Sequence, residues 1–214
     1  MTDIELVVFD LGGVIVRAAR TFAEAWVMAG RTDLEILEDT AFLELLPPIG
    51  YAYMSGQIST DEYNEQIAAA GGGRFSYEES RRILDAWVAD EYPGVGDVLD
   101  ALDASGVRTA VLSNTNEAHW SLIEAEPARY PNILRHTSIF TSHVLRLAKP
   151  DLAIFAAVEA ATGAAGSRVL FFDDVLENVE AARVAGWQSE QIDHTVDSTA
   201  PQLFSLLRTH GVLR

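Results

Sequence analysis

The sequence has no cysteine and little positive charge. Without cysteine, the 214-residue chain can form neither disulfides nor zinc–thiolate sites, and it has no thiolate nucleophile. Its 15 Lys and Arg residues are outnumbered by 32 Asp and Glu residues, so the formal net charge is −17 at pH 7. An electrostatic field of this sign repels polyanions, which argues against nucleic acids and anionic membrane surfaces as partners.

The sequence also lacks the long apolar runs of membrane proteins and the basic start of a signal peptide. Residues 1–10 have neither a basic beginning nor an extended apolar stretch, and no segment approaches the length needed to span a bilayer. We therefore expect a cytoplasmic protein. The sequence leaves open whether it is a monomer or a homodimer.

Short apolar runs alternate with segments of helical spacing along most of the chain. Strands are predicted at residues 4–9, 107–112, 138–141 and 169–172, with helices between them. One of these helices ends at Gly106, and another begins near Pro150. Strands that alternate with helices favour an α/β protein with a parallel sheet covered on both faces.

Residues 16–92 interrupt this alternation with mainly helical spacing. Two serines each precede a glutamate by three residues in the capping-box arrangement: Ser59 with Glu62, and Ser76 with Glu79. The second box opens a helix whose predicted apolar face reaches Trp87 and Val88. We expect a core domain formed by residues 1–15 and 93–214, with residues 16–92 as a helical insertion.

Polar residues follow three of the predicted strands at the point where each strand ends. Asp10 follows the first strand, Ser113 and Asn114 follow the second, and Asp173 and Asp174 follow the last. In an open parallel sheet, ligands bind in the crevice at the carboxyl ends of the strands. These side chains should therefore converge on one site.

The chemistry of this set favours phosphate ester hydrolysis. Asp10, Asp173 and Asp174 offer hard oxygen ligands, which suit Mg²⁺ better than zinc. A carboxylate can also attack phosphorus, and Asp10 is the natural nucleophile because it stands alone after its strand. Lys149 is predicted to supply positive charge to the phosphate and to keep Asp10 ionised by lowering its pKa.

Four segments together resemble the motifs of the haloacid-dehalogenase-like superfamily. They match in order and spacing: Phe9-Asp10-Leu11-Gly12-Gly13-Val14, Leu112-Ser113-Asn114-Thr115-Asn116, Lys149-Pro150 and Phe171-Phe172-Asp173-Asp174. The resemblance implies a Rossmann-like three-layer α/β/α core, with the helical insertion as a cap over the active site. The second segment, with His119 after it, is particularly similar to the α-D-glucose-1-phosphate phosphatase branch.

The resemblance also implies a role for each matching residue. Asp10 would be the nucleophile and a metal ligand, and Lys149 would be both catalytic and phosphate-binding. The other phosphate-binding residues would be Ser113 and Asn114. The other metal ligands would be the Gly12 carbonyl, Asp174 and Asp173, and Asn178 matches the trailing polar position of the last motif. The implied cofactor is Mg²⁺.

Gly12 departs from the pattern, because most phosphatases of this superfamily have a second aspartate at that position. That aspartate protonates the leaving group and then activates water, and such general acid–base catalysis typically contributes ~10²–10⁴ in rate. Two explanations are open. The substrate has a good leaving group, or another residue acts as the acid, for which His119 is a hypothesis.

The sequence therefore favours a phosphatase that acts on a small phosphorylated metabolite, with a sugar phosphate first among substrates. A 2-haloacid dehalogenase is disfavoured, because dehalogenases resemble a Ser-Ser-Asn pattern where this chain has Asp173-Asp174-Val175. A non-catalytic phosphometabolite-binding or regulatory protein is the remaining alternative, and Gly12 is its support.

Overall fold

The computed structural model describes residues 4–214, and within them seven strands form two sheets. In chain order the strands are β1 (Leu6–Phe9), β2 (Val16–Ala18), β3 (Val88–Glu91), β4 (Arg108–Ser113), β5 (Ser138–Thr141), β6 (Val169–Asp173) and β7 (Gln188–Gln191). Five of them form a parallel sheet in the order β5-β4-β1-β6-β7, and β2 pairs antiparallel with β3.

Ten α-helices lie within the same described residues. They are α1 (Phe22–Met28), α2 (Thr40–Met54), α3 (Thr60–Ala70), α4 (Tyr77–Ala86), α5 (Val95–Ser105), α6 (Glu117–Ala125), α7 (Ser142–Leu145), α8 (Leu152–Thr162), α9 (Leu176–Val184) and α10 (Ala200–Thr209). Among residues 4–214, none of these helices has both the length and the apolar character that crossing a bilayer requires.

Strand β1 lies at the centre of the parallel sheet, between β4 and β6, and all four of its residues are buried. Because side chains alternate along a strand, Val7 and Phe9 face one side and Leu6 and Val8 face the other. Helices α5 and α10 cover the first side, and α8 and α9 cover the second. The predicted α/β class, with a parallel sheet flanked by helices, is confirmed.

The insertion, residues 16–92, has a hydrophobic cluster of its own. Helices α1 to α4 pack around Phe22, Trp26, Phe42 and Phe75, whose rings contact one another at centroid distances between 5.4 and 6.5 Å. Both predicted capping boxes are present, at the starts of α3 and α4. The insertion therefore folds around aromatic contacts that are separate from the sheet's two apolar layers.

Three strands and two helix boundaries differ from the sequence predictions. Helix α4 ends at Ala86, so Val88 belongs to β3 and pairs with Ala18 of β2. Strands β2, β3 and β7 are three or four residues long, too short for a readable periodicity, and β7 is a polar edge strand. Pro150 precedes the N-cap Asp151 and so lies outside helix α8.

The register of the sheet brings the strand ends together. Phe9 at the end of β1 is level with Val111 of β4 and with Phe172 of β6. The Asp10 backbone N–H then donates a hydrogen bond of 2.9 Å to the Phe172 carbonyl. The residues that follow these strands therefore share one edge of the sheet, as the resemblance and the strand pattern predict.

Candidate active site

Three aspartates form an acidic cluster at the carboxyl edge of the sheet. Asp10, Asp173 and Asp174 are all buried, and one carboxylate oxygen from each lies within 4.8 Å of the others. Buried carboxylates at such separations repel one another unless a cation balances them. The site therefore requires positive charge, and the structure provides it from Lys149 and Arg20.

Lys149 is the only lysine of the chain, and its side chain is fully buried within the acidic cluster. Its ammonium donates to the Leu112 carbonyl at 2.8 Å and to Asp173 Oδ2 at 2.7 Å, and it lies 3.1 Å from Asp10 Oδ1. All three proton positions of the ammonium are thus directed at oxygens. The side chain that the sequence predicts as the catalytic cation therefore lies against the predicted nucleophile.

Asn114 holds the backbone of Lys149 through two hydrogen bonds. Its amide N–H donates to the Lys149 carbonyl at 2.8 Å, and its carbonyl oxygen accepts from the Lys149 N–H at 2.9 Å. The amide group keeps a second N–H that these contacts do not use. Asn114 and the buried Ser113 both line the cavity above Asp10, so both can still donate to a bound oxyanion.

Burial and charge act in opposite directions on the two groups of the ion pair. Burial raises the pKa of Asp10 and Asp173 adds to the rise, while the charge of Lys149 opposes it. Burial opposes the charging of Lys149, but Asp10 and Asp173 hold its pKa above the usual value. The contribution of Lys149 to the pKa of Asp10 has the predicted sign, but the effect of burial is larger.

The two neighbouring aspartates have different surroundings. Both carboxylate oxygens of Asp173 accept from protein donors: Lys149 Nζ, the Asn178 side-chain amide at 3.1 and 3.2 Å, and the Val175 backbone N–H at 2.8 Å. Asp174 Oδ1, by contrast, is buried without a hydrogen-bond partner in the described part of the chain. A buried acceptor without a donor is costly, so this oxygen is suited to a cation.

Two residues at the site carry no signal in the sequence. The Arg20 guanidinium contacts Asp174 Oδ2 and donates to the Gly12 carbonyl at 3.0 Å, and His194 Nδ1 lies 3.0 Å from the same Asp174 oxygen. Arg20 follows β2 in the insertion, and His194 follows β7. Neither strand was predictable from periodicity, and only the folded chain brings these side chains to the sheet edge.

The glycines after Asp10 leave room for these contacts. A Cβ atom at Gly12 would lie 3.3 Å from Arg20 Nη1, so the space of the missing acid–base side chain is bordered by the guanidinium. Gly13 has a φ of +76°, and a Cβ there would lie 2.5 Å from Asp174 Oδ2. The turn therefore needs glycine at position 13 for both its backbone conformation and its approach to Asp174.

His119 is buried where α6 meets the insertion. Its Nε2 lies 2.9 Å from the Leu84 carbonyl, which can only accept, so Nε2 carries the proton. Its Nδ1 then accepts from the Asn116 side-chain amide at 3.0 Å. Burial lowers the pKa of His119 to about 4, so the ring is neutral at pH 7. Both ring nitrogens are thus engaged with α4 and with the N-cap of α6.

The oxygen atoms at the sheet edge fit a hard divalent cation. Asp10, Asp174 and the Gly12 carbonyl provide oxygen donors, and among the described residues the candidate ligand cluster consists of aspartates alone, although His194 contacts Asp174 from outside it. The unpartnered Asp174 Oδ1 is the specific observation that favours a cation there. Because Arg20 contacts two of these donors, its guanidinium would have to move for a metal ion to be coordinated by both.

Comparison with known sequences agrees with this arrangement. The sequence model of the haloacid dehalogenase-like hydrolases matches residues 4–186. The chain belongs to this family. The matched range contains every site residue that the motifs predicted, from Asp10 to Asn178. The family match therefore includes the whole candidate active site of this hydrolase.

The individual relatives of this hydrolase share between a fifth and a third of its residues in the aligned regions. It is 29% identical over 124 residues to the phosphatase MT3486 of Mycobacterium tuberculosis (strain CDC 1551 / Oshkosh), and the match covers 55% of each chain. The aligned region thus spans about half the length of that curated relative. A predicted haloacid dehalogenase-like hydrolase from Porphyromonas gingivalis is 25% identical, with a TM-score of 0.75 over 96% of this chain and 98% of that one.

A further solved structure shares the fold. It is the family enzyme bt-2542 of Bacteroides thetaiotaomicron in complex with magnesium and inorganic phosphate, with 22% identity and a TM-score of 0.73. The alignment covers 90% of this chain and 96% of that one. At this level of identity the likeness concerns the fold alone, which extends over both the sheet and the insertion.

Proposed function

We propose that this hydrolase is a Mg²⁺-dependent phosphatase that cleaves a small phosphate monoester through an aspartyl-phosphate on Asp10. One observation carries the proposal: a fully buried ammonium lies beside Asp10, and Asp174 of the same acidic cluster has an unpartnered carboxylate oxygen. The phosphatase name of the mycobacterial relative and the magnesium and phosphate bound to the Bacteroides enzyme support it.

In the proposed mechanism Asp10 attacks phosphorus with Oδ2. Oδ1 is already engaged, because it accepts from the Leu11 N–H at 2.7 Å and faces Lys149. The bond between phosphorus and the leaving oxygen breaks, and its electron pair departs with that oxygen, which then takes a proton. Water hydrolyses the aspartyl-phosphate, releasing inorganic phosphate and the free Asp10 carboxylate.

The other predicted residues bind and orient the phosphate. Ser113 and Asn114 donate to the phosphoryl oxygens, and Lys149 also donates to them once the proton that it directs at Asp10 turns to the phosphate. Asp10, Asp174 and the Gly12 carbonyl would hold Mg²⁺, which would supply positive charge to the phosphate when bound. We propose that Asp173 and Asn178 position Lys149, since both oxygens of Asp173 are used within the protein.

We also propose that the predicted division into a core and a cap describes the working parts of the enzyme. Residues 16–92 form the cap, and residues 1–15 and 93–214 form the core, of which residues 1–3 lie outside the described part. The paired strands β2 and β3 stand at the two ends of the cap. This separation would let the cap choose substrates without altering the chemistry at the sheet edge.

A binding protein without turnover is the second candidate, and the contacts of Arg20 are the observation that favours it. The guanidinium already neutralises Asp174 and occupies the Gly12 carbonyl. With glycine at position 12, the protein would then bind a phosphorylated ligand with neither a metal ion nor a general acid. The sugar-phosphate substrate stays a prediction under either candidate.

Phosphate release separates these candidates. The purified chain and its Asp10→Asn variant are incubated with phenyl phosphate and with sugar phosphates, in Mg²⁺ or in EDTA. We expect Mg²⁺-dependent release that falls by about a thousandfold or more in Asp10→Asn. Matching thermal unfolding curves for the two proteins exclude loss of folding as the cause.

Lysine labelling supplies a readout that does not depend on turnover. Because Lys149 is the only lysine, [¹⁵N]lysine gives a single backbone amide signal, and that N–H is bonded to Asn114. Inorganic phosphate with Mg²⁺ is expected to shift this signal. A shifted signal without phosphate release from any substrate would reject the phosphatase and favour the binding protein.

A further inference from the structure

One cavity of about 1140 Å³ extends from Asp10 into the insertion. Phosphate fills only a small part of such a volume, which is sufficient for a leaving group the size of a bicyclic ring system. The charged residues of its lining, Asp10, Arg20 and Asp174, lie at the floor. The other end of the cavity therefore contacts the part of the substrate that is not phosphate.

The insertion end of the cavity is apolar. Between residues 37 and 88, the described lining contains no charged side chain and no Ser, Thr, Asn or Gln. Helices α2 to α4 and the turn before β3 contribute most of this surface, for example Leu43, Leu46, Ile67, Leu84 and Trp87. A surface of this kind binds a ring or an alkyl group by removing it from water.

The tyrosines in this lining do not offset its apolar character. The Tyr53 hydroxyl lies 2.8 Å from Thr60 Oγ1 and accepts from the Ala118 N–H at 3.2 Å, so its hydrogen bonds are largely used. The Tyr63 ring stacks on Tyr53 at a centroid distance of 4.5 Å. Apart from the hydroxyls of Tyr51 and Tyr63 and the indole N–H of Trp87, this surface offers sugar hydroxyls no hydrogen-bond partners between residues 37 and 88, so most of a sugar's hydroxyls would lose water without compensation.

The absence of an acid at Gly12 independently favours a substrate whose leaving group is a phenol. Without an acid at this position, the leaving oxygen departs unprotonated, and the rate depends on how well it carries negative charge. A phenolic oxygen has a pKa of about 10, as in tyrosine. Aliphatic alcohols and sugar hydroxyls are far weaker acids, so their esters need the missing acid much more.

In place of the sugar phosphate that the sequence favours, we propose that the substrate is an aryl phosphate monoester whose ring occupies the apolar end of the cavity. This inference rests on the proposed phosphatase activity. Asp10 attacks phosphorus, the bond from phosphorus to the aryl oxygen breaks, and its electron pair leaves on a phenolate that solvent protonates. Water then attacks the aspartyl-phosphate and releases inorganic phosphate.

Three substrates test separately whether the apolar ring aids binding and whether the phenolic leaving group aids turnover. 2-Naphthyl phosphate has an apolar ring and a phenolic leaving group, (2-naphthyl)methyl phosphate has the same ring on an alcohol, and glucose 6-phosphate has hydroxyls and no ring. We expect kcat/KM to fall in that order, with the first step mainly in kcat, by about a hundredfold or more because no acid assists the alkoxide. The second step is expected mainly in KM.

A pair of substitutions on α2 tests where the ring binds. Leu46 lines the cavity, whereas Leu45, its neighbour on the same helix, is 48% exposed and outside the lining. Leu46→Gln is expected to raise KM for 2-naphthyl phosphate by about tenfold, and Leu45→Gln to leave it unchanged. Equal KM values in the two variants would reject the assigned position of the ring.

The outcomes distinguish this inference from the proposed function. Asp10-dependent hydrolysis in which glucose 6-phosphate exceeds both naphthyl esters would overturn the aryl substrate and keep the phosphatase. Equal kcat for the two naphthyl esters would overturn the role of the leaving group. Absence of Asp10-dependent hydrolysis of all three would overturn the phosphatase and the aryl substrate together.

Discussion

At the floor of the cavity, charged groups lie within hydrogen-bond distance of one another, whereas the insertion end presents aliphatic and aromatic surface. Lys149, Asp10 and Asp173 form one buried network at the floor. Leu46, Ile67 and most of their neighbours present apolar side chains at the other end. The difference indicates that the sheet edge provides the chemistry and the insertion selects the substrate, so changes at the two ends should be separable in kinetics.

The largest expected effect tests the floor. Lys149→Met removes the cation that faces Asp10 and Asp173 and leaves two buried carboxylates without a counter-charge, although each keeps a hydrogen bond from the protein. We expect turnover to fall by about a thousandfold and the free energy of unfolding to fall by about 3 kcal/mol. Urea unfolding and phosphate release measure the two effects.

A double variant checks the cause of that loss. Lys149→Met combined with Asp173→Asn removes one of the unpaired charges, so stability should recover in part while activity does not. A double variant as unstable as Lys149→Met alone would show that the buried network does not account for the lost stability.

The two neighbouring aspartates provide the next test, within the floor itself. Asp174→Asn removes a proposed metal ligand, and we expect Mg²⁺ affinity to fall by about 10- to 100-fold in calorimetric titration. Asp173→Asn should chiefly lower stability, because Asp173 accepts from Lys149 and Asn178. The same loss of Mg²⁺ affinity in both variants would contradict the different roles that we propose for them.

His119 connects helix α6 of the core to helix α4 of the insertion, and its protonation makes the stability of the protein depend on pH. Its folded-state pKa of about 4 lies below the usual 6.5. As pH falls below 6.5, His119 is protonated in the unfolded chain but stays neutral in the folded chain. The free energy of unfolding therefore decreases between pH 6.5 and 4. His119→Gln, which can still donate to Leu84, should remove about 2 kcal/mol of the stability change between pH 7 and 5.

The same variant tests the hypothesis that His119 replaces the missing acid. If the ring only joins α6 to the insertion, kcat for 2-naphthyl and for (2-naphthyl)methyl phosphate should change by a few fold at most. A loss of ~10²–10⁴ in kcat for the alkyl ester would instead identify His119 as a general acid.

Arg20 gives the smallest expected effect and the sharpest test of how separable the two regions are. It belongs to the insertion by sequence, yet its guanidinium contacts Asp174 and the Gly12 carbonyl at the floor. Removing its charge in Arg20→Ala should tighten Mg²⁺ binding by about tenfold. Arg17→Ala, on the same strand region but paired with the Asp197 carbonyl, serves as the control. Weaker Mg²⁺ binding in Arg20→Ala would contradict competition between the guanidinium and the metal ion.

The site residues that could be predicted are those that stand directly at the end of an apolar strand. Asp10, Ser113 and Asp173 each stand at the end of an apolar run, and parallel strands place such ends at one edge. The parts that could not be predicted depend on short or polar strands. Arg20 follows β2 and His194 follows β7, and neither strand has a periodicity that a sequence pattern can register.

The sequence by itself determined the α/β class, the acidic cluster with its lysine, and the absence of an acid at Gly12, because all of these follow from residue type and local pattern. Only the tertiary structure decided that Asp173 is saturated while Asp174 keeps an unpartnered oxygen, that Arg20 reaches the floor, and that the cavity is apolar at its other end. The physical reason is that hydrogen-bond satisfaction and burial depend on neighbours far apart in the chain.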